Sequence, residues 1–234
     1  MYLTLFAAAF GPFMSMLDIL FDGVEPTHRR DIFNEMFTSK FQMTALLGFP
    51  IFIILLCTLL PQIEYKNNTW KQVLASPQPK ADVYLAKFFN IQLLIFVFLV
   101  ANQLLMFVAG IILHFIEPSL HVLNQPINTH DAVMSKVNSY TALLALCAIQ
   151  FWLGLRFKNF IIPIATGIGL WFTGTIFVMQ RLDLAAYFPY SFHAYGSFPR
   201  YNPLFNDAAW TSFVYAVLFL VIGFLEFRRK TVHK

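Results

Sequence analysis

An all-α, polytopic membrane protein with six transmembrane helices and both termini on the cytoplasmic side is the fold class this sequence predicts. Three observations carry the prediction. Hydrophobic residues make up 58% of the 234 positions and charged residues only 12%, about half the charged share of a soluble domain, which is roughly 25%. Six apolar runs approach the roughly 20 residues a helix needs to cross a bilayer. The connections between them alternate in Lys and Arg content, which sets orientation.

The first run, Tyr2 to Phe21, follows Met1 without a basic leader and continues well past its Ala7-Ala8-Ala9 stretch. It reads as a retained span rather than a cleaved signal. The second runs from Phe41 to Ile63. The third, Phe88 to Ile116, is 29 residues without Asp, Glu, Lys or Arg, about 43 Å as a helix, so it must tilt, bend or project beyond the hydrocarbon. The fourth runs from Val137 to Leu155, the fifth from Asn159 to Gln180 and the sixth from Ala208 to Leu225. Little remains for a soluble domain, so residues 1–234 form one membrane domain. In the fifth run Ala165, Gly169 and Thr173 make a small-residue row at four-residue spacing, a pattern that serves close packing inside one chain more often than pairing between chains.

Orientation follows from charge. Lys66, Lys71, Lys80, Lys87, Arg156, Lys158, Arg228, Arg229, Lys230 and Lys234 fall on one side, ten in all. The opposite connections hold six, Arg29, Arg30, Lys40, Lys136, Arg181 and Arg200, together with eight acids that include Asp22, Glu117 and Asp207. The side with ten is cytoplasmic by the positive-inside rule. The net charge of +4 then describes contact with anionic lipid headgroups rather than nucleic-acid binding.

The segment from Glu64 to Lys87 is the main polar feature of the cytoplasmic side. Asn67, Asn68 or Thr69 can cap a short helix over about residues 65–76, whose Trp70, Val73 and Leu74 share one face and which Pro77 ends. On the outer side, residues 181–207 are crowded with rings, among them Tyr187, Tyr190, Phe192, Tyr195 and Tyr201, and are broken by Pro189, Pro199 and Pro203. Such a segment suits the membrane interface or a partial dip into it. It is either a lipid-facing plug or a gate over a path through the membrane.

Sequence signals for catalysis are missing. The chain has no GxxxxGK[ST] loop, HExxH or GxSxG. His114, His121 and His130 are spaced by seven and nine residues, which does not put a metal-binding pair on one helix face. Cys57 and Cys147 sit inside spans as small apolar side chains. Asp18 is the acid well inside a span, and Asn90, Gln92, Asn102, Gln103 and Gln150 are amides there. Asp18, Asn90, Asn102, Gln103 and Gln150 are the candidates for lining a polar path; the alternative is packing through interhelical hydrogen bonds, or for Asp18 a headgroup contact or a pair with Arg29 or Arg30.

Six spans with both ends inside, Glu64 closing the second, the run NTWKQVLASPQPKADVYLAKF before a long third span, and a broken outer segment before the sixth together resemble the ABC-2 type transporter permeases. The likeness is to the small permeases of lantibiotic immunity and bacitracin resistance. The resemblance implies that the polar segment is a coupling helix touching a separate nucleotide-binding ATPase subunit. The matching positions are Glu64, Trp70, Leu74, Pro77 and Lys87, and Tyr65, Lys71 and Val73 join them as candidate ATPase-coupling residues. It also implies no cofactor on this chain, ATP and Mg on the partner ATPase, and a second permease chain in a homo- or heterodimer. The expected activity is export of a hydrophobic or amphipathic substrate across a bacterial inner membrane. Two other readings are a membrane-embedded enzyme built on Asp18 with His114 or His193, and a non-transporting anchor or assembly subunit.

Overall fold

The computed structural model describes residues 2–22, 32–66, 78–125, 128–197 and 202–229. Among them there are helices and no strand. The long helices are α1 (Tyr2–Asp22), α4 (Phe49–Lys66), α5 (Lys80–Ile116), α6 (Thr129–Arg156), α7 (Ile161–Met179) and α9 (Asn202–Arg229); the short ones are α2 (Ile32–Glu35), α3 (Phe41–Met43) and α8 (Phe192–Ser197). Among the described residues six stretches are long and apolar enough to cross a membrane: Tyr2–Phe21, Thr44–Ile63, Lys80–Ile116, Thr129–Arg156, Ile161–Met179 and Ala208–Arg229. The protein is an all-α integral membrane protein.

Local chemistry explains the helix ends. The third span starts after Pro79 with Asp82 in its first turn, where the helix dipole favours an acid, and stops at Glu117 ahead of Pro118. It is one continuous helix of 37 residues, about 55 Å long, so its polar start projects beyond the apolar stretch that the sequence delimits. Asn128 caps the fourth span, accepting a hydrogen bond from the Asp131 backbone N–H at 3.2 Å. Asn159 Oδ1 accepts from the Ile161 N–H at 2.9 Å and opens the fifth.

The second span enters irregularly. Met36–Lys40 and Thr44–Gly48 are π-helical. The second of these lies just ahead of Pro50, whose ring would collide with the carbonyl four residues back in a regular helix; widening the turn relieves that contact.

The second and fourth spans form the centre, with 61% and 56% of their apolar windows buried, against 22% for the sixth. The main apolar core joins Phe49, Phe52 and Cys57 of α4 to Ile95 and Phe98 of α5 and to Leu146, Cys147 and Phe151 of α6. Phe98 stacks on Phe49 and Phe52, ring centroids 5.0 and 4.6 Å away.

The small-residue row of the fifth span is a correction to the sequence reading. Ala165 and Gly169 are exposed, and a Cβ added at Gly169 would meet nothing within 4 Å. The face packed inside the chain carries Pro163, Gly167, Trp171, Gly174 and Val178. A second correction concerns Lys136, which the sequence places in a connection. It lies within α6, two turns past the start, and is only 8% exposed, because helix period and the Asn128 cap extend the fourth span upstream of Val137.

Candidate functional site

Three polar groups stand out in the bundle. At the end where α4 finishes and α5 begins, hydrogen bonds tie four spans together. Lys80 Nζ donates to the Arg228 carbonyl at 3.0 Å, and Tyr84 OH to the Leu220 carbonyl at 3.0 Å, so the start of the third span is fastened to the sixth. Trp152 Nε1 donates to Glu226 Oε2 at 2.8 Å, Arg156 approaches the same oxygen at 3.6 Å, and its guanidinium lies 5.2 Å from the Trp152 ring centroid, joining fourth and sixth. Gln62 Nε2 donates to the Phe157 carbonyl at 2.8 Å, joining second and fourth. Glu64 and Tyr65 belong to the last turn of α4 at this end, and Lys87 lies two turns into α5, half-buried. Trp70, Lys71, Val73, Leu74 and Pro77 lie outside the described residues. Glu226 and Arg156 were not singled out from sequence; the signal available was one acid and one base at the ends of two spans sharing a side.

The second group lies in the core and draws in the segment after the fifth span. Gln150, fully buried, donates from Nε2 to the Pro163 carbonyl at 2.6 Å and accepts at Oε1 from Tyr190 OH at 3.0 Å. Tyr190, Ser191, Phe192, His193 and Ala194 are all buried, so this part of the aromatic segment is inserted among the spans. Gly174 makes room for it, since a Cβ there would come within 2.5 Å of the Tyr190 carbonyl oxygen. His193, on a helix outside the six spans, accepts from Trp171 Nε1 at its Nε2, 3.1 Å away. Burial pushes its pKa down to about 4, with the Tyr190 backbone pulling weakly the other way. It is a neutral, structural imidazole.

The third group borders a groove of about 780 Å³ between the third and fourth spans, walled by Phe89, Leu93, Phe96, Val100, Leu104, Val133 and Val137 and carrying the polar Gln92, Gln103, Lys136 and Tyr140. Tyr140 OH donates to Gln92 Oε1 at 2.8 Å and Gln92 Nε2 to Cys147 Sγ at 3.4 Å. Lys136 Nζ donates to the carbonyls of Ala132 at 3.1 Å and Phe37 at 3.3 Å and sits 4.2 Å from the Phe41 ring centroid.

The five amide and acid candidates take different surroundings within the chain. Asn102 is fully buried against the first span, donating to the Ala8 carbonyl at 3.0 Å. Gln103 faces the groove, Gln150 the core, Asn90 an exposed face, and Asp18 is half-buried on the first span. One helix places Asn102 and Gln103 about 100° apart, which sends adjacent amides to different neighbours. Among the described residues no group of three or more His, Cys, Asp or Glu could hold a metal.

The architecture of long apolar spans with a polar clasp at one end and a lateral groove between two of them suits transport more than catalysis. No curated protein and no solved structure matches the chain. The family described as ABC-2 family transporter protein matches residues 1–175, the first five spans nearly complete. The chain belongs to that family and is a membrane permease subunit of an ABC transporter, the kind of subunit that works with an ATPase subunit and a permease partner.

Proposed function

We propose that this chain is half of the membrane pathway of an ATP-driven exporter in a bacterial inner membrane, with N- and C-termini cytoplasmic. A separate chain carries the nucleotide site and binds ATP and Mg. Residues 65–76 are the coupling element, with Trp70, Val73 and Leu74 as its apolar contacts and Glu64, Tyr65, Lys71, Pro77 and Lys87 as further contacts. A second permease chain, identical or different, completes the path. The cargo is a hydrophobic or amphipathic compound, and the likeness to lantibiotic-immunity and bacitracin-resistance permeases favours a peptide antibiotic, with drugs and lipids as the neighbouring classes.

The observation that carries this reading is the clasp at the end where α4 finishes and α5 begins. Lys80 to Arg228, and Arg156 with Trp152 to Glu226, bind the third, fourth and sixth spans to one another. A push delivered between the second and third spans then moves several spans as a body. The side bearing the clasp is also the side with ten of the sixteen Lys and Arg residues, which agrees with a cytoplasmic position.

The test is co-purification with the ATPase from the native membrane, followed by ATP turnover in the reconstituted complex. Trp70→Asp with Leu74→Asp should release the ATPase or abolish its stimulation. Full stimulation by that double variant would remove residues 65–76 from the contact. An anchor subunit would bind the ATPase with no cargo-dependent change in turnover.

A further inference from the structure

We infer that the groove between the third and fourth spans binds an acyl-chain amphiphile with an anionic headgroup, taken sideways from the bilayer and anchored by Lys136. The groove is of the size that holds drug-sized ligands, about 300–1,000 Å³, at about 780 Å³. Its walls are apolar and its polar groups are few. Gln92 and Tyr140 satisfy each other and Cys147. Lys136, one helical turn from Tyr140, is the one cation among the described residues that line the groove.

Lys136 is the decisive group. An ammonium inside a span is costly and is normally paired or functional. Here two of its three N–H bonds go to backbone carbonyls and a ring face lies 4.2 Å away, but no carboxylate neutralises it among the described residues. A headgroup phosphate or carboxylate supplies the missing charge. From Phe89 to Leu104 the groove follows the third span for about 22 Å, more than half of a hydrocarbon core of about 30 Å, so a single acyl chain fits along it. Many of these wall residues are open to the surroundings; Leu93 is 59% exposed and Leu104 62%. Entry is therefore lateral.

As a binding site this inference stands alone; as the cargo site it rests on the export reading above. The experiment is native mass spectrometry of the detergent-purified full chain, titrated with lysophosphatidylglycerol and with lysophosphatidylcholine of the same acyl length. The anionic lipid should bind about tenfold more tightly, Lys136→Gln should erase that preference, and Lys136→Arg should keep it. Leu93→Trp, on an exposed wall position, should weaken both lipids, and glycerol phosphate without a chain should fail to compete. Equal binding of the two lipids to the unaltered chain, or a preference that survives Lys136→Gln, overturns the site. So does unaltered binding in Leu93→Trp, or competition by glycerol phosphate alone. Lysophosphatidylglycerol is then added to the reconstituted permease–ATPase complex. Stimulation of ATP turnover that Lys136→Gln removes makes the site a cargo site. Binding without stimulation leaves the site in place and overturns its role as cargo entry.

Discussion

The fourth span has two seams of opposite character. Toward the second span it is closed: Gly154 lies against the Cys57 carbonyl, and Cys57 Sγ is 3.8 Å from Cys147 Sγ, both fully buried. Toward the third span it is open over much of its length, with the 780 Å³ groove between them. Small residues let the first pair of helices approach at backbone distance. On the third span Phe89, Phe96 and Leu104 line the groove and stay mostly exposed. One helix is thus packed tightly on one face and borders an open groove on the other.

Breaking the closed seam should have the largest effect. Gly154→Ala puts a methyl into the Cys57 backbone, which has no side-chain freedom to yield. The expected cost is about 3 kcal/mol, at the upper end of overpacking penalties, seen as a lower thermal midpoint in detergent and less folded protein in the membrane. A substitution at the open seam, such as Val100→Ala, should leave the midpoint within about 0.5 kcal/mol, because Val100 is 43% exposed on the groove wall.

Acid should act next, through the inserted segment. His193 accepts from Trp171 at Nε2, so protonating that nitrogen would set two N–H donors against each other in a buried site. Its folded-state pKa, about 4, lies below the ordinary 6.5. The unfolded chain therefore binds the proton first, and stability is complete above pH 6.5 and falls as pH drops toward 4, by at most about 3 kcal/mol. His193→Gln keeps an acceptor for Trp171 and should flatten this response in an unfolding series from pH 7 to 4. An unchanged acid slope in that variant would assign the effect elsewhere.

How far the sequence went can be judged at particular residues. Six spans and their approximate limits follow from apolar runs and charges alone, since crossing a bilayer is a constraint on composition and length. The clasp was not legible, because Glu226 and Arg156 are 70 residues apart and only helix packing makes them neighbours. Lys136 was misplaced because a charge reads as the end of an apolar run, whereas the helix continues through it and its carbonyl and ring partners come from the second-span approach and the preceding turn. The fifth-span row was misassigned because four-residue spacing marks a face and not which neighbour it meets; Gly167, Trp171, Gly174 and Val178 mark the packed one.

Untying the clasp should be milder than either break above. Glu226→Ala removes the acceptor that Trp152 and Arg156 share at a half-exposed position. Exposed ion pairs contribute little, so the stability loss should be about 1 kcal/mol. The larger consequence should be in ATP turnover stimulated by the permease, which falls severalfold when the fourth and sixth spans no longer move together, by the roughly 1.4 kcal/mol per tenfold that relates coupling to rate. Glu226→Gln retains an acceptor for the Trp152 indole and should keep most of the stimulation. A full loss in Glu226→Gln would show that the charge and not the tether is what the assembly needs.

The smallest expected effect separates two glycines on one helix. A Cβ at Gly167 would come within 2.7 Å of Gln150 Nε2, whereas one at Gly169 meets nothing within 4 Å. Gly167→Ala must displace an amide that is already committed to the Pro163 carbonyl and to Tyr190, so it should lower the thermal midpoint. Gly169→Ala should leave the isolated chain unchanged or raise its stability by up to about 1 kcal/mol through better helix propensity. The same variant becomes informative in the assembled transporter, measured by the fraction of paired permease on size-exclusion chromatography. If the Ala165, Gly169 and Thr173 face meets only lipid, Gly169→Ala and even Gly169→Leu leave pairing intact. Loss of pairing in Gly169→Leu with an unchanged midpoint of the separate chain would place a second permease against this open face of the fifth span.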